Sequence, residues 1–212
     1  MPNLTEISIK SFSECSSLQY FDLPKKMKSF DIESFSHCTS LENIKIPSLS
    51  KDKGKSTFKG CSNLKNIDFS DSNILFEGMF ENCNSLKEIH ISNSVGLINT
   101  YAFRNCINLE NVTFETGSTS LTLATKIFYG CQKIKTLKLP RHVYQLPSDL
   151  LEGTSINTLD LSSADFKYNY VYLGSDNPVA NKKGKIIVKQ DLLESYKNDS
   201  LWQDLKDSFV AA

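Results

Sequence analysis

Most of what marks a catalytic, metal-binding or nucleic-acid-binding chain is missing here. No run of about 20 apolar residues occurs, so no segment is built to span a membrane as a helix. Arg104 and Arg141 are the only arginines among 212 residues, which leaves few of the anchors that carry interface hot spots. Lys plus Arg equals Asp plus Glu, at 24 each. A chain without net charge lacks the basic footprint that phosphate binding needs, so no nucleic-acid partner is predicted. There is no C-x-x-C pair to start a zinc site. His37, His90 and His142 lie out of phase with one another and pair with no nucleophile. Gly54-Lys55-Ser56 resembles the end of a phosphate loop, but the first glycine that the motif requires is absent. No catalytic residue, metal site or cofactor is predicted. Nor does a basic and apolar leader open the chain.

What the chain does contain is a period. Phe103, Cys106, Leu109, Val112 and Phe114 have the same spacing as Phe12, Cys15, Leu18, Phe21 and Leu23. The pattern returns from Phe35, Phe58, Phe80 and Phe128, and in worn form from Leu150. The steps between phenylalanines are 23, 23, 22, 23 and 25 residues, with 22 more to Leu150. A fixed period in this range marks stacked repeats sharing one continuous core. In each copy the last two apolar residues alternate with polar ones, the signature of a short strand. Eight such strands are expected, ending at residues 9, 23, 46, 69, 91, 114, 139 and 161. Pro24, Pro47 and Pro140 share the strand-exit slot, which suits a residue with no N–H. A second apolar slot lies five residues before each Phe, at Ile7, Phe30, Leu75, Ile98 and Leu123. Lys53 breaks it, so Ser50–Ser56 reads as a protruding, poorly packed turn. Phe-x-x-Cys-x-x-Leu is too short for a regular helix and is expected to form one helical turn.

All six cysteines occupy one slot. Side-by-side thiols with parallel Cβ vectors do not form disulfides, and buried cysteine behaves as a small hydrophobe. All six are therefore expected to be free and buried, and they say nothing about redox compartment. Beyond residue 161 the pattern fades. Phe166, Tyr168, Tyr170 and Tyr172 alternate like one face of a strand. Tyr168 and Tyr172 continue the core slots of a degenerate repeat, with a sugar-stacking row as the alternative. Ile186–Val188 reads as a last strand, followed by helices over about 191–198 and 200–209. Asp191 with Glu194, and Ser200 with Gln203, have capping-box spacing. Trp202 is expected to anchor a terminal cap, because an open stack exposes its last apolar layer.

The A/S-F-x-x-C-x-x-L-x-x-I-x-[IL]-P repeat resembles the BspA-like class of leucine-rich repeats. Ser34-Phe35-Ser-His-Cys38 and Ala102-Phe103-Arg-Asn-Cys106 carry the likeness most closely, and Ser195-Tyr196-Lys197…Trp202 resembles that family's C-terminal cap. The resemblance implies an α/β leucine-rich-repeat solenoid with a parallel β-sheet of about eight coils over residues 1–185. A strand-plus-helices cap follows over 186–212. It also implies a non-enzymatic binding or adhesion module of a secreted or surface-displayed protein, with leader and upstream coils lying outside this sequence. The expected partner is a host matrix or other cell-surface protein, or a glycan, and the chain is expected to be monomeric. The alternatives are a structural spacer and an intracellular protein–protein interaction scaffold.

Two surfaces are candidates for binding. Between the strand aliphatics runs a column of Ser8, Asp22, Lys45, Asp68, His90, Thr113, Lys138 and Asp160, with Tyr20 in the column beside it. His90 and Asp68 stand one coil apart there, a pairing that suits a surface hydrogen bond better than a catalytic dyad. The second surface is a basic ridge of Lys25, Lys26 and Lys28 beside Lys51, Lys53 and Lys55, suited to anionic glycans or an acidic partner. Asp31, Glu33 and Asp52 dilute it. An ordinary solvated surface is the competing reading of both.

Overall fold

A computed structural model describes residues 3–49, 53–117, 119–165, 173, 177–181 and 184–212. Its strands in chain order are β1 (Glu6–Ile7), β2 (Ser29–Phe30), β3 (Asn43–Lys45), β4 (Asn66–Asp68), β5 (Ile74–Leu75), β6 (Glu88–Ile91) and β7 (Leu97–Ile98). β8 (Asn111–Phe114), β9 (Thr122–Leu123), β10 (Thr136–Lys138), β11 (Thr158–Asp160), β12 (Lys185–Val188) and β13 (Phe209–Ala211) follow. Short helices α1 (Pro178–Asn181) and α2 (Leu193–Asn198) lie near the C-terminus. Every strand pair is parallel, and the registers match equivalent slots of successive repeats: Asn43↔Asn66, Glu88↔Asn111 and Thr136↔Thr158↔Lys185. This is a leucine-rich repeat fold with parallel strands in sheets and small C-terminal helices.

The period-of-two alternation decides which side chains go inside. Ile44, Ile89, Val112, Leu137 and Leu159 are buried, while their strand neighbours point outward. The second apolar slot makes its own ladder, with Ile7 opposite Phe30 and Leu75, Ile98 and Leu123 in register. On the turn side, the phenylalanines form a continuous stack. Centroids of Phe12, Phe35, Phe58, Phe80, Phe103 and Phe128 are successively 5.0, 5.4, 5.6, 5.5 and 5.8 Å apart, with planes within 16° of parallel. Each of the four inner rings thus packs on two copies of itself, and stacked aromatic pairs add about 0.5–1.5 kcal/mol beyond the area they bury.

The turn is not helical. Phe, Cys and Leu are linked by successive three-residue hydrogen bonds, for example Cys106 N to Phe103 O at 3.2 Å and Leu109 N to Cys106 O at 3.0 Å. However, the second residue after each Phe has positive φ: Glu14, His37, Gly60, Asn82, Asn105 and Gly130. A left-handed residue terminates a helix, which corrects the expected helical turn. It also aims its N–H at the next repeat: His37 N donates to Lys59 O at 2.7 Å and Asn105 N to Tyr129 O at 2.8 Å. Backbone hydrogen bonds therefore join the repeats on the turn side as well as through the strands.

The N-terminal frame also needs correction. Leu4, Ile7 and Ile9 do not end a strand in the main series, because β1 pairs with β2 in the second ladder and Ile9 is 58% exposed. No strand ends at Leu23 either, although Glu42 N still donates to Gln19 O in the phase of later repeats. The Ser50–Ser56 turn is better packed than expected in its described part. Gly54 lies so close under the Phe76 ring that a Cβ would collide with it, and Ser56 and Thr57 are buried. Only Lys53 and Lys55 project.

One cysteine departs from the ladder. Cys38, Cys61, Cys83, Cys106 and Cys131 are buried, whereas Cys15 is exposed, with no repeat packed over it among the described residues; all six are free. Each buried thiol donates to the Phe carbonyl of the preceding repeat, at 3.1 to 3.4 Å. Burial pushes the Cys83 and Cys106 thiols up, so they stay protonated as donors. Thiol titration is therefore expected to find one fast-reacting group in the native protein and six in denaturant. Fast native labelling of Cys83 or Cys106 by mass spectrometry would contradict the ladder.

At the C-terminal end, Ile186–Val188 is not the last strand. Phe209 pairs with Ile186, 23 residues on, so β13 extends the ladder by one period. Between them, α2 and a 3-10 helix over Ser200–Ser208 hold Tyr196 and Trp202 against Phe209, with centroids 5.2 to 6.0 Å apart. Neither expected capping box forms. No side chain caps α2, and Asp199 rather than Ser200 caps the 3-10 helix, accepting from Leu201 N at 2.9 Å. Phe166, Tyr168, Tyr170 and Tyr172 lie outside the described residues.

Candidate functional site

Parallel register brings the sheet-face column together and pairs its members across repeats. Lys45 Nζ lies 3.2 Å from Asp68 and 3.0 Å from Asp71. Lys138 Nζ lies 3.3 Å from Asp160. His90 Nδ1 meets Thr113 Oγ1 at 2.9 Å, so its near partner is a hydroxyl in the following strand rather than Asp68 in the preceding one. In the neighbouring column, Asn66 Nδ2 donates to Asn43 Oδ1 at 2.6 Å. The charges are thus neutralised pairwise along the stack. Exposed pairs of this kind are worth about 0–1 kcal/mol each, so their main effect is to hold long side chains in order.

Two acids of the column have a second task. Asp68 accepts from Ser70 N at 2.8 Å, and Asp160 accepts from Ser162 N at 2.9 Å and Ser162 Oγ at 2.6 Å. The Ser70 amide, then its hydroxyl, with Lys45, hold the Asp68 carboxyl below its ordinary range. Burial pushes Asp160 upward, but Ser162 and Lys138 outweigh it and leave that carboxyl lowered too. Both are Asx turns at a strand exit. Asp-x-Ser spacing at the end of a strand is the sequence signal for such a turn. Asp71, Ser70 and Ser162 therefore join the site. Tyr20 and Asp22 are exposed but sit where no strand forms. Ser8 follows β1 in the second ladder and so leaves the column.

Five lysines of the basic ridge lie among the described residues, and all five are exposed. Lys53 and Lys55 line a recess with Asp31, Phe76 and Glu77, and Lys55 Nζ is 2.8 Å from Glu77. Lys25, Lys26 and Lys28 are exposed at and just after the turn that follows Pro24, and Lys51 lies outside the described residues. Among the described residues, no three His, Cys, Asp or Glu side chains cluster as metal ligands.

Among the described residues the face lacks strand pairing at two junctions, between β4 and β6 and between β8 and β10, and the second carries a cleft. β8 and β10 are neighbours in the stack, yet among the described residues no backbone hydrogen bond joins them. A cleft of about 700 Å³ lies there, floored by Val112, Phe114, Leu139 and Pro140. A shallower recess of about 570 Å³ continues it between Glu110–Thr113 and Lys133–Lys138.

Parallel strands in repeat register, a phenylalanine stack and a cysteine ladder agree with the comparison to known families. The BspA type leucine rich repeat region matches in six copies, over residues 1–109 and 72–175. The chain belongs to this family. Among solved structures, a leucine-rich repeat protein from Bacteroides ovatus ATCC 8483 is similar, with a TM-score of 0.64 and 23% identity. That likeness covers 88% of this chain and 47% of the other, so the chain spans about half the length of that relative. A leucine rich cell surface protein from Faecalibacterium prausnitzii A2-165 is similar at a TM-score of 0.44 and 14% identity, over 82% of this chain and 65% of that one. No curated protein matches. BspA-type repeats make the chain a repeat-based protein-interaction module of a typically non-enzymatic family. No helix among the described residues is long and apolar enough to cross a membrane.

Proposed function

We propose that this chain is a non-enzymatic binding and adhesion module of a secreted or surface-displayed protein. Residues 1–185 form a solenoid and residues 186–212 its cap, and the sheet face meets a cell-surface or matrix protein or a glycan. The observation that carries this reading is the in-register alignment of polar side chains, Lys45 with Asp68, His90 with Thr113 and Lys138 with Asp160. Such columns offer one broad ordered surface and no enclosed polar pocket of the kind catalysis uses. A second reading, a structural spacer, draws on the same pairs, because charges satisfied within the stack leave less for a partner.

Neutralising Lys45 and Lys138 to Gln separates these readings from each other and from the ridge. Each change should cost about 1 kcal/mol or less, since the pairs are exposed. Binding to a panel of matrix proteins and to heparin is measured at low and high salt, because a charge-led contact weakens with screening. Loss with this pair of changes, and not with Lys26, Lys28 and Lys53 changed to Gln, is the expected result. Loss with the second set alone moves the site to the ridge. Retention of no ligand by any form supports the spacer.

A further inference from the structure

The junction between β8 and β10 shares its missing strand pairing with that between β4 and β6, but the loop beside it is longer. From β6 to the second-ladder residue Ile98 the path runs seven residues past Ile91; from Phe114 to Leu123 it runs nine. The two extra residues fall in the loop that leaves β8. That loop is tied backward: Glu115 N donates to Ile91 O at 2.8 Å, and the Glu115 carboxylate accepts from Asn93 N at 3.0 Å and Ser92 Oγ at 3.1 Å. Gly117 packs against the Asn93 side chain so tightly that a Cβ would collide. On the far side, Pro140 follows β10 and has no N–H to offer. The turn side stays joined, through Phe103 N to Ile127 O at 3.0 Å and Asn105 N to Tyr129 O at 2.8 Å. The repeats therefore remain attached at one edge and part at the sheet face.

The opening has an apolar floor and a cationic wall. Val112 and Leu139 are buried at its base and Phe114 is half-buried. Around it stand Lys133, Lys135, Lys138 and Arg141; Lys133 Nζ lies 3.5 Å from Glu110, the one acid in the lining. Arg141 and Lys138 reach acids that do not line the cleft, Asp165 at 2.6 Å and Asp160 at 3.3 Å. Lys135 Nζ donates to the Gln132 carbonyl at 3.1 Å rather than to an acid. We infer that this cleft is a docking site for an acidic, extended peptide segment of a partner protein, which inserts one bulky apolar side chain between β8 and β10. Charge complementarity selects the acidic flanks. The floor selects the peptide over a sulfated glycan, which has no apolar side chain to place there. This inference rests on the sheet-face reading above and narrows it to one junction and one ligand chemistry.

The probe is a fluorescein-labelled decapeptide with a central Phe or Leu flanked by Glu on both sides. Controls carry Gln for Glu, or Ala for the central residue, and a heparin oligosaccharide serves as the glycan arm. Fluorescence anisotropy should show saturable binding that weakens with salt and is lost in both peptide controls. Amide exchange should slow in residues 111–117 and 135–142 when the peptide is bound. Lys138→Gln with Arg141→Gln should raise Kd about fivefold. Thr113→Trp, which fills the exposed mouth without removing a charge, should also weaken binding. Unchanged exchange through the Phe58–Leu109 repeats checks that each variant is folded. Protection confined to β3 and β4 would overturn the cleft while leaving the sheet-face reading standing. Protection confined to Lys25–Lys28 and Lys53–Lys55 would overturn both. Binding of heparin alone, or of neither probe, would overturn the peptide site.

Discussion

Replacing Phe103 by Ala is expected to remove about 3–5 kcal/mol of stability, the loss typical of emptying a buried aromatic site. Phe103 is fully buried between Phe80 at 5.5 Å and Phe128 at 5.8 Å, and Phe69 meets it edge-on at 6.4 Å. Its carbonyl also accepts the Cys131 thiol at 3.1 Å. The site cannot collapse easily, because the repeats above and below are fixed by backbone hydrogen bonds on the turn side. Domains of this size are stable by about 5–15 kcal/mol in total, so one ring is a large fraction. A cycle with Phe80→Ala should show coupling, since the two rings are in contact. Denaturant unfolding measures all four forms. A loss below about 1 kcal/mol for Phe103→Ala would mean that the stack contributes packing without stability.

The second large effect is expected at the C-terminal end. Removing residues 190–212 takes away β13 and the aromatic cluster of Tyr196, Trp202 and Phe209. Ile186 and Val188, now buried, would lose their cover, and β12 would present an unpaired edge. An exposed apolar edge strand templates association with other chains. The truncated protein should aggregate on light scattering, while Trp202→Ala in the full chain should cost about 3–5 kcal/mol and remain soluble. A monomeric, soluble truncation would show that the proposed cap is dispensable.

The interior was legible because each core slot is repeated: Phe, Cys and Leu recur at one spacing, and buried positions tolerate few residue types. The ends were less legible because a terminal repeat lacks a neighbour. Ile7 fits both the strand slot and the second apolar slot, and only its pairing with Phe30 decides between them. Cys15 matches the pattern and is nevertheless exposed. β13 was within reach, since Phe209 lies one period after Ile186, but the intervening helices masked it. The left-handed turn residues were hidden for a different reason. Gly60, Gly130, Asn82 and Asn105 advertise positive φ, whereas Glu14 and His37 in the same slot do not. At the candidate site, the columns followed from the period of two. Asp71 and the Asx turns of Asp68 and Asp160 did not, because they depend on how each strand ends. The cleft at β8 and β10 follows from no slot of the repeat, because strand pairing is missing both beside a six-residue path, after Phe69, and beside a nine-residue one, after Phe114.

The sheet face as working surface is tested most directly by lysine-reactivity footprinting, with the chain alone and bound to whichever matrix protein or glycan of the panel it retains. The result expected is loss of acetylation at Lys45 and Lys138 on binding, with Lys25 and Lys26 labelled as before. Protection confined to Lys25 and Lys26, or no retained partner at all, would contradict it.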